Sequence, residues 1–219
     1  MVEISTSILG VEKNKIIDTI YDLEKAKTDY FHIDVMDGEF VENNTNDKML
    51  EFCEYLNGIT LTPLDVHLMA KDLKIYIDSY AIFNPKTITF HLEACKNKVE
   101  VMEIINYIRA KEIKVGISIK PNTNIEEVFE FLKYVNSILV MTVEPGRGGQ
   151  ELIPETIQKI KDIKAYIDEN NLDCYIEADG GINIDNCKEL KEAGVEIIVA
   201  GSAIINSENY TETISKLRE

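Results

Sequence analysis

The chain has three histidines, at positions 32, 67 and 91, and each sits in a short alternating run: FHIDVMDG, LDVHLM and TITFHLE. Successive side chains of a pleated strand point to opposite sides, so His32, Asp34 and Met36 share one face while Phe31, Ile33 and Val35 make the other face apolar. By the same count His67 shares a face with Asp65 and Met69, and His91 with Thr89 and Glu93. Asp179 ends a further run in EADGG. If these strand ends meet, His32, Asp34, His67 and Asp179 converge on one cation, and two imidazoles with two carboxylates suit zinc, iron(II), manganese or cobalt. A hydrogen-bonded cluster without metal fits the spacing equally well at this level.

Backbone offers a second kind of site. Gly180 and Gly181 follow Asp179 with a helix expected to begin near Asp185, and Gly201-Ser202 precedes another short helix. Free amides at such turns, reinforced by a helix dipole, suit an anion such as phosphate, although a Gly-Gly pair is also an ordinary turn. The segment EPGRGGQ, Glu144 to Gln150, is either a lid over a ligand or simply a mobile loop.

Positioning these groups takes a repeated scaffold. Strands are expected near Val2–Leu9, Tyr30–Val35, Leu61–Met69, Thr87–Leu92, Lys114–Ile119, Ile138–Val143, Cys174–Asp179 and Glu196–Gly201. Segments of helical period lie between them, including VEKNKIIDTIYDLEKA, KVEVMEIINYIRAK and PETIQKIKDIKAYIDEN, the last opening on Pro154. Eight βα units in 219 residues allow about 27 residues each, close to a βαβ unit, and imply a parallel sheet. An open doubly wound sheet would want both strand faces apolar, whereas several runs here have one polar face. A closed (β/α)8 TIM barrel, one domain over residues 1–219, resolves this: apolar faces meet the helices, and polar faces line the mouth where such barrels keep their active sites.

Composition sets the surroundings. The formal charge is -16, from 23 Lys plus Arg against 39 Asp plus Glu, which opposes binding to nucleic acid or an anionic membrane. Cys53, Cys95, Cys174 and Cys187 are scattered, with no C-x-x-C pair, and suit a reducing, cytoplasmic setting. MVEISTSILG has no basic region followed by an apolar run, and no stretch approaches a membrane span, so neither export nor insertion is expected.

These motifs together resemble the ribulose-phosphate 3-epimerase family, nearly end to end. They are S-I-L at Ser7–Leu9, HIDVMDG at His32–Gly38, LDVHLM at Leu64–Met69, TVEPG-x-GGQ from Thr142 and ADGGIN from Ala178. The resemblance implies a barrel of the ribulose-phosphate-binding type and a metal-dependent epimerase inverting C3 of a ketose phosphate, foremost D-ribulose 5-phosphate, through an enediolate. It implies that His32, Asp34, His67 and Asp179 bind the divalent metal, with Asp34 and Asp179 as the two acid/base groups. Ser7 and His67 would touch substrate, Met36, Met69 and Met141 would wall the reacting carbons, and Gly148, Gly149, Gly180, Gly181, Gly201 and Ser202 would surround the phosphate. A homo-oligomer is the expected assembly. Where the family commonly reads DGHF, VPN-x-T-x-G and PGFGGQ, this chain has Glu39, Glu42, Asp47 and Arg147 in place of histidine, proline, glycine and phenylalanine. These departures are expected around the substrate entrance, with allulose 6-phosphate as the alternative substrate and a non-catalytic sugar-phosphate-binding barrel as the alternative role. Arg147 either reaches the phosphate or a distal hydroxyl, or points into solvent.

Overall fold

In a computed structural model, which describes residues 2–219, eight parallel strands close into a barrel. They are β1 Glu3–Ser7, β2 Tyr30–Met36, β3 Leu64–Met69, β4 Thr87–His91, β5 Lys114–Ile119, β6 Ser137–Met141, β7 Tyr175–Asp179 and β8 Ile197–Ala200. Each pairs with the next in chain order, and β8 returns to β1 through pairs such as Ile4 with Ile198. The helices are α1 Ile16–Lys25, α2 Asn46–Ile59, α3 Leu73–Ala81, α4 Lys98–Arg109, α5 Glu126–Leu132, α6 Glu155–Glu169, α7 Cys187–Ala193, α8 Ser202–Ile205 and α9 Tyr210–Arg218. Among the described residues, no helix is long and apolar enough to cross a membrane.

Burial drives the helix layer. In α6 the buried Ile157, Ile160, Ile163 and Ile167 recur every three or four residues. Isoleucine costs a helix a few tenths of a kcal/mol relative to alanine, whereas fully burying its side chain stabilises by about 1.5–3 kcal/mol, so packing outweighs propensity. Pro154 forms the N-cap of α6, and Asn97 caps α4 by accepting from the amides of Val99 and Glu100. The expected first helix opens instead with a 3-10 turn at Lys13–Lys15, and α1 starts only at Ile16.

Register places the chemistry. Asp34 pairs with His67 and His32 with Asp65 across β2 and β3, while Ser7 pairs with His32 across β1 and β2. The outward Phe31, Ile33 and Val35 are fully buried under the helices. The polar faces do more than line the mouth. Ser5, Asp65, Thr87, Thr89, Ser137 and Glu177 are buried as well, carrying a polar interior down the barrel, and Leu139, Met141 and Val143 form a small apolar patch apart from the main core.

Candidate metal centre and substrate cavity

β2 supplies His32 and Asp34, β3 His67 and β7 Asp179, and one ligand atom from each lies within 4.8 Å of the others. His32 Nε2 is 3.5 Å from Asp34 Oδ1 and 3.8 Å from Asp179 Oδ2. His67 Nδ1 is 3.6 Å and 3.5 Å from the same two oxygens. Both nitrogens are buried with no hydrogen-bond partner. Four donors bound tetrahedrally at about 2.0–2.1 Å stand roughly 3.3 Å apart, so the observed spacings suit a small divalent cation better than direct hydrogen bonds. The donor set and the orphaned nitrogens therefore fit a metal ion.

Electrostatics lead to the same place. Burial alone lowers the pKa of His32, but Asp34 and Asp65 outweigh it and hold the imidazole well above its ordinary value. Burial raises Asp34, yet His32 and His67 together bring it below the usual carboxylate range. The cluster thus favours positive charge between its carboxylates, which either an imidazolium or a cation provides.

A second set of buried groups orients the first. His32 Nδ1 lies 2.7 Å from Asp65 Oδ2, which also accepts from Ser5 Oγ at 2.8 Å. That contact fixes the ring with Nε2 toward the cluster. Glu177 approaches His32 Nδ1 at 3.9 Å, and burial together with neighbouring Asp65 pushes its carboxyl well above the usual range. Ser7 Oγ donates to Asp34 Oδ2 at 2.7 Å, leaving Oδ1 for the histidines. Thr45 Oγ1 donates to the Asp34 carbonyl and accepts from the Met36 amide at 2.9 Å, splinting the end of β2. Beyond His67 stands His91, also fully buried, with Nε2 to Nε2 at 2.9 Å and its own Nδ1 3.1 Å from Glu93.

Above the cluster opens a cavity of about 350 Å³. Asp34 and Asp179 reach it, as do Ser7, Met36, Met69 and Met141, and Gly148, Gly149, Gly180, Gly181, Gly201 and Ser202 line it. His32 and His67 do not line it; both are fully buried. The β7 turn is packed so tightly that glycine is required: a Cβ on Gly180, at φ +123°, would meet Val143 Cγ2 at 2.3 Å, and one on Gly181, at φ +67°, would meet Leu152 N at 2.4 Å. Asn186 Nδ2 donates to the Gly181 carbonyl at 2.9 Å, and α7 begins one residue later, at Cys187. The EPGRGGQ loop is held from within by Gln150 Nε2, which donates to the carbonyls of Glu144 at 2.7 Å and Arg147 at 2.9 Å.

The sequence pattern of the Ribulose-phosphate 3 epimerase family matches residues 3–205. The chain belongs to that family. It is 38% identical over 215 residues to the ribulose-phosphate 3-epimerase of Mycobacterium bovis, covering 98% of this chain and 91% of that one. It is 35% identical to the ribulose-phosphate 3-epimerase of Bacillus subtilis, covering 100% and 99%. Among solved structures, a 3-hexulose-6-phosphate synthase superposes with a TM-score of 0.73 over 99% of this chain and 98% of that one, at 12% identity, a likeness of fold.

Within the family frame, the four departures fall in different places. Arg147 is exposed and lines the cavity; Glu39, Glu42 and Asp47 are exposed and are not among the residues that line it, although their segment touches the cavity-lining Gly146. The reason is the path of the segment after β2. Asp37 Oδ1 accepts the amides of Glu39 and Phe40, curling the chain, and it is Val41 and Asn43 that reach across, Val41 packing against Gly146 and Asn43 donating to the Gly146 carbonyl at 2.7 Å. Asp47 instead sits in the first turn of α2, where the helix dipole favours a carboxylate.

Proposed function

We propose that this chain interconverts D-ribulose 5-phosphate and D-xylulose 5-phosphate by inverting C3, with Asp34 and Asp179 as the proton-transfer pair. The cation of this reading, zinc, iron(II), manganese or cobalt, is held by His32, Asp34, His67 and Asp179. One observation carries it. Two carboxylates reach a single cavity from β2 and β7, strands separated by β8 and β1, with unpartnered imidazole nitrogens between them.

The C3 proton lies beside the C2 carbonyl, and its removal leaves an enediolate. One aspartate takes that proton and its partner, protonated, returns one to the opposite face; a positioned acid or base of this kind contributes about 10²–10⁴-fold. A divalent cation, when bound, supplies charge stabilisation for the oxygens that become negative. Ser7 holds Asp34 through Oδ2 and faces the cavity where substrate sits. Met36, Met69 and Met141 keep water from the reacting carbons, and the glycine turns with Ser202 present amides to the phosphate. The wider reading is a cytoplasmic homo-oligomeric enzyme using the whole chain as one catalytic barrel, supported on the first point by four free cysteines.

The decisive experiment follows deuterium incorporation at C3 of ribulose 5-phosphate in heavy water, by NMR, for the wild type, Asp34→Asn and Asp179→Asn. Each substitution is expected to lower turnover at least about 10²-fold with the fold retained by circular dichroism. Near-normal turnover by either variant would overturn the two-carboxylate assignment.

A further inference from the structure

His67 faces the cluster through Nδ1 and His91 through Nε2, so its tautomer decides whether a lone pair or a proton meets the cation. Donor and acceptor counting fixes that tautomer. Glu93 Oε1 accepts the backbone amide of Lys120 at 2.8 Å and the hydroxyl of Thr123, and Oε2 lies 3.1 Å from His91 Nδ1. A carboxylate with those partners is an acceptor only, so His91 carries its proton on Nδ1 and donates it to Glu93. Neutral His91 then offers a lone pair at Nε2, which requires His67 Nε2–H as the donor across 2.9 Å. The proton of His67 is thereby kept on Nε2, which leaves Nδ1 free to offer a lone pair to a cation held between Asp34 and Asp179. Any other arrangement within this chain places either a lone pair against the Glu93 carboxylate or a proton where the cation binds.

We propose that Glu93 and His91 are positioning residues that lock His67 in the tautomer able to ligate, through the relay Glu93, His91, His67. This rests on the cation site proposed above and extends it to two side chains that touch neither the cavity nor a ligand position. The relay runs from the end of β4, where HLE supplies His91 and Glu93 two residues apart, and the loop after β5 anchors its far end through Lys120 and Thr123. Phe40 covers His91 with ring centroids 4.8 Å apart, shielding the relay on that side.

Glu93→Gln is the informative substitution, because it keeps size while changing the hydrogen-bond pattern. The Lys120 amide still needs an acceptor, so the glutamine carbonyl stays there and its NH₂ turns to His91 Nδ1. His91 must then accept at Nδ1 and donate from Nε2, which moves the His67 proton onto Nδ1. The test pairs ¹⁵N NMR of the histidine rings in cation-free protein with titration of Mn²⁺, Co²⁺ and Zn²⁺ into wild type and Glu93→Gln. The expected result is a proton on His91 Nδ1 and on His67 Nε2 in wild type, a proton on His91 Nε2 facing an unprotonated His67 Nε2 in the variant, and cation affinity lower by about 10–100-fold, the usual effect of losing an outer partner of a ligating histidine. A wild-type His91 protonated on Nε2 overturns the relay without any variant, and so does a variant with unchanged tautomers and affinity. Failure of the wild type to bind any of the three ions instead overturns the cation site, and the ring spectra of cation-free protein still decide the relay.

Discussion

Arg147 brings positive charge to a cavity whose other charged lining groups, Asp34, Glu144 and Asp179, are acidic. Among the described residues that line it, Arg147 is the one cationic side chain. Its exposure limits what it contributes, since solvent-exposed ion pairs give about 0.2–1 kcal/mol. Arg147→Phe is therefore expected to raise KM for ribulose 5-phosphate roughly 2- to 5-fold with kcat little changed, and the difference should shrink at high salt. Steady-state kinetics at low and high ionic strength checks this; equal KM values at low salt would place the guanidinium outside the binding interaction. At this scale the sequence was most informative where alternation alone decides the face: His32, Asp34, His67 and Asp179 were legible and the structure brings them together. Asp65 and Glu177 each lie two residues before a member of that cluster, His67 and Asp179, on the same strand face, a signal that was present. Their depth and their meeting at His32 depend on how neighbouring strands stagger, and no single run of sequence encodes that. The Glu93–His91 relay was hidden for the same reason: its partner His67 is on another strand.

The turn between β7 and α7 shows how one element constrains another. Gly180 is pressed against Val143, just beyond β6, while Thr142 donates its amide to the Asp179 carbonyl at 2.8 Å, so the β6 and β7 ends form one unit beside the cavity. Gly180→Ala introduces both an unfavourable positive φ and a clash, and is expected to destabilise by about 2–5 kcal/mol, the sum of backbone strain and overpacking. Val143→Ala removes the methyl groups in the way. In a double-mutant cycle followed by urea unfolding, the pair should show a coupling of about 1 kcal/mol or more in the direction of rescue, with the φ cost remaining. Strictly additive losses would show that the two side chains do not compete for space. All eight strands and their parallel order were legible from the recurring apolar faces, but their ends were not. Ile8 is fully buried yet lies beyond β1, and Leu61, expected within the third strand, is fully exposed ahead of Pro63. Apolar character reports burial or chance exposure; the hydrogen-bonded ladder stops where the neighbouring strand does.

For the whole molecule the dominant electrostatic fact is an excess of negative charge, formally -16, with part of it folded inward. Asp34 and Asp65 are buried beside His32, and Asp179 stands at the mouth of the same barrel. Closing eight strands brings these carboxylates together, whereas the unfolded chain keeps them apart on segments more than 140 residues distant at the extremes. A divalent cation that needs all four ligands in place therefore binds the folded state far better than the unfolded one, and by linkage it stabilises the fold. At free metal one hundred times the dissociation constant the gain is about 2.7 kcal/mol, which for a chain of this size corresponds to a rise in Tm of roughly 5–10 °C. Scanning calorimetry of protein stripped with chelator, then supplied with manganese, cobalt, zinc or iron(II), measures the rise directly and ranks the four ions. The ion giving the largest rise should also restore activity at the lowest concentration, because both readouts report occupancy of one site. A Tm that stays fixed while activity returns would mean that the ion acts on the substrate or elsewhere, and would remove His32, Asp34, His67 and Asp179 from the role of its ligands.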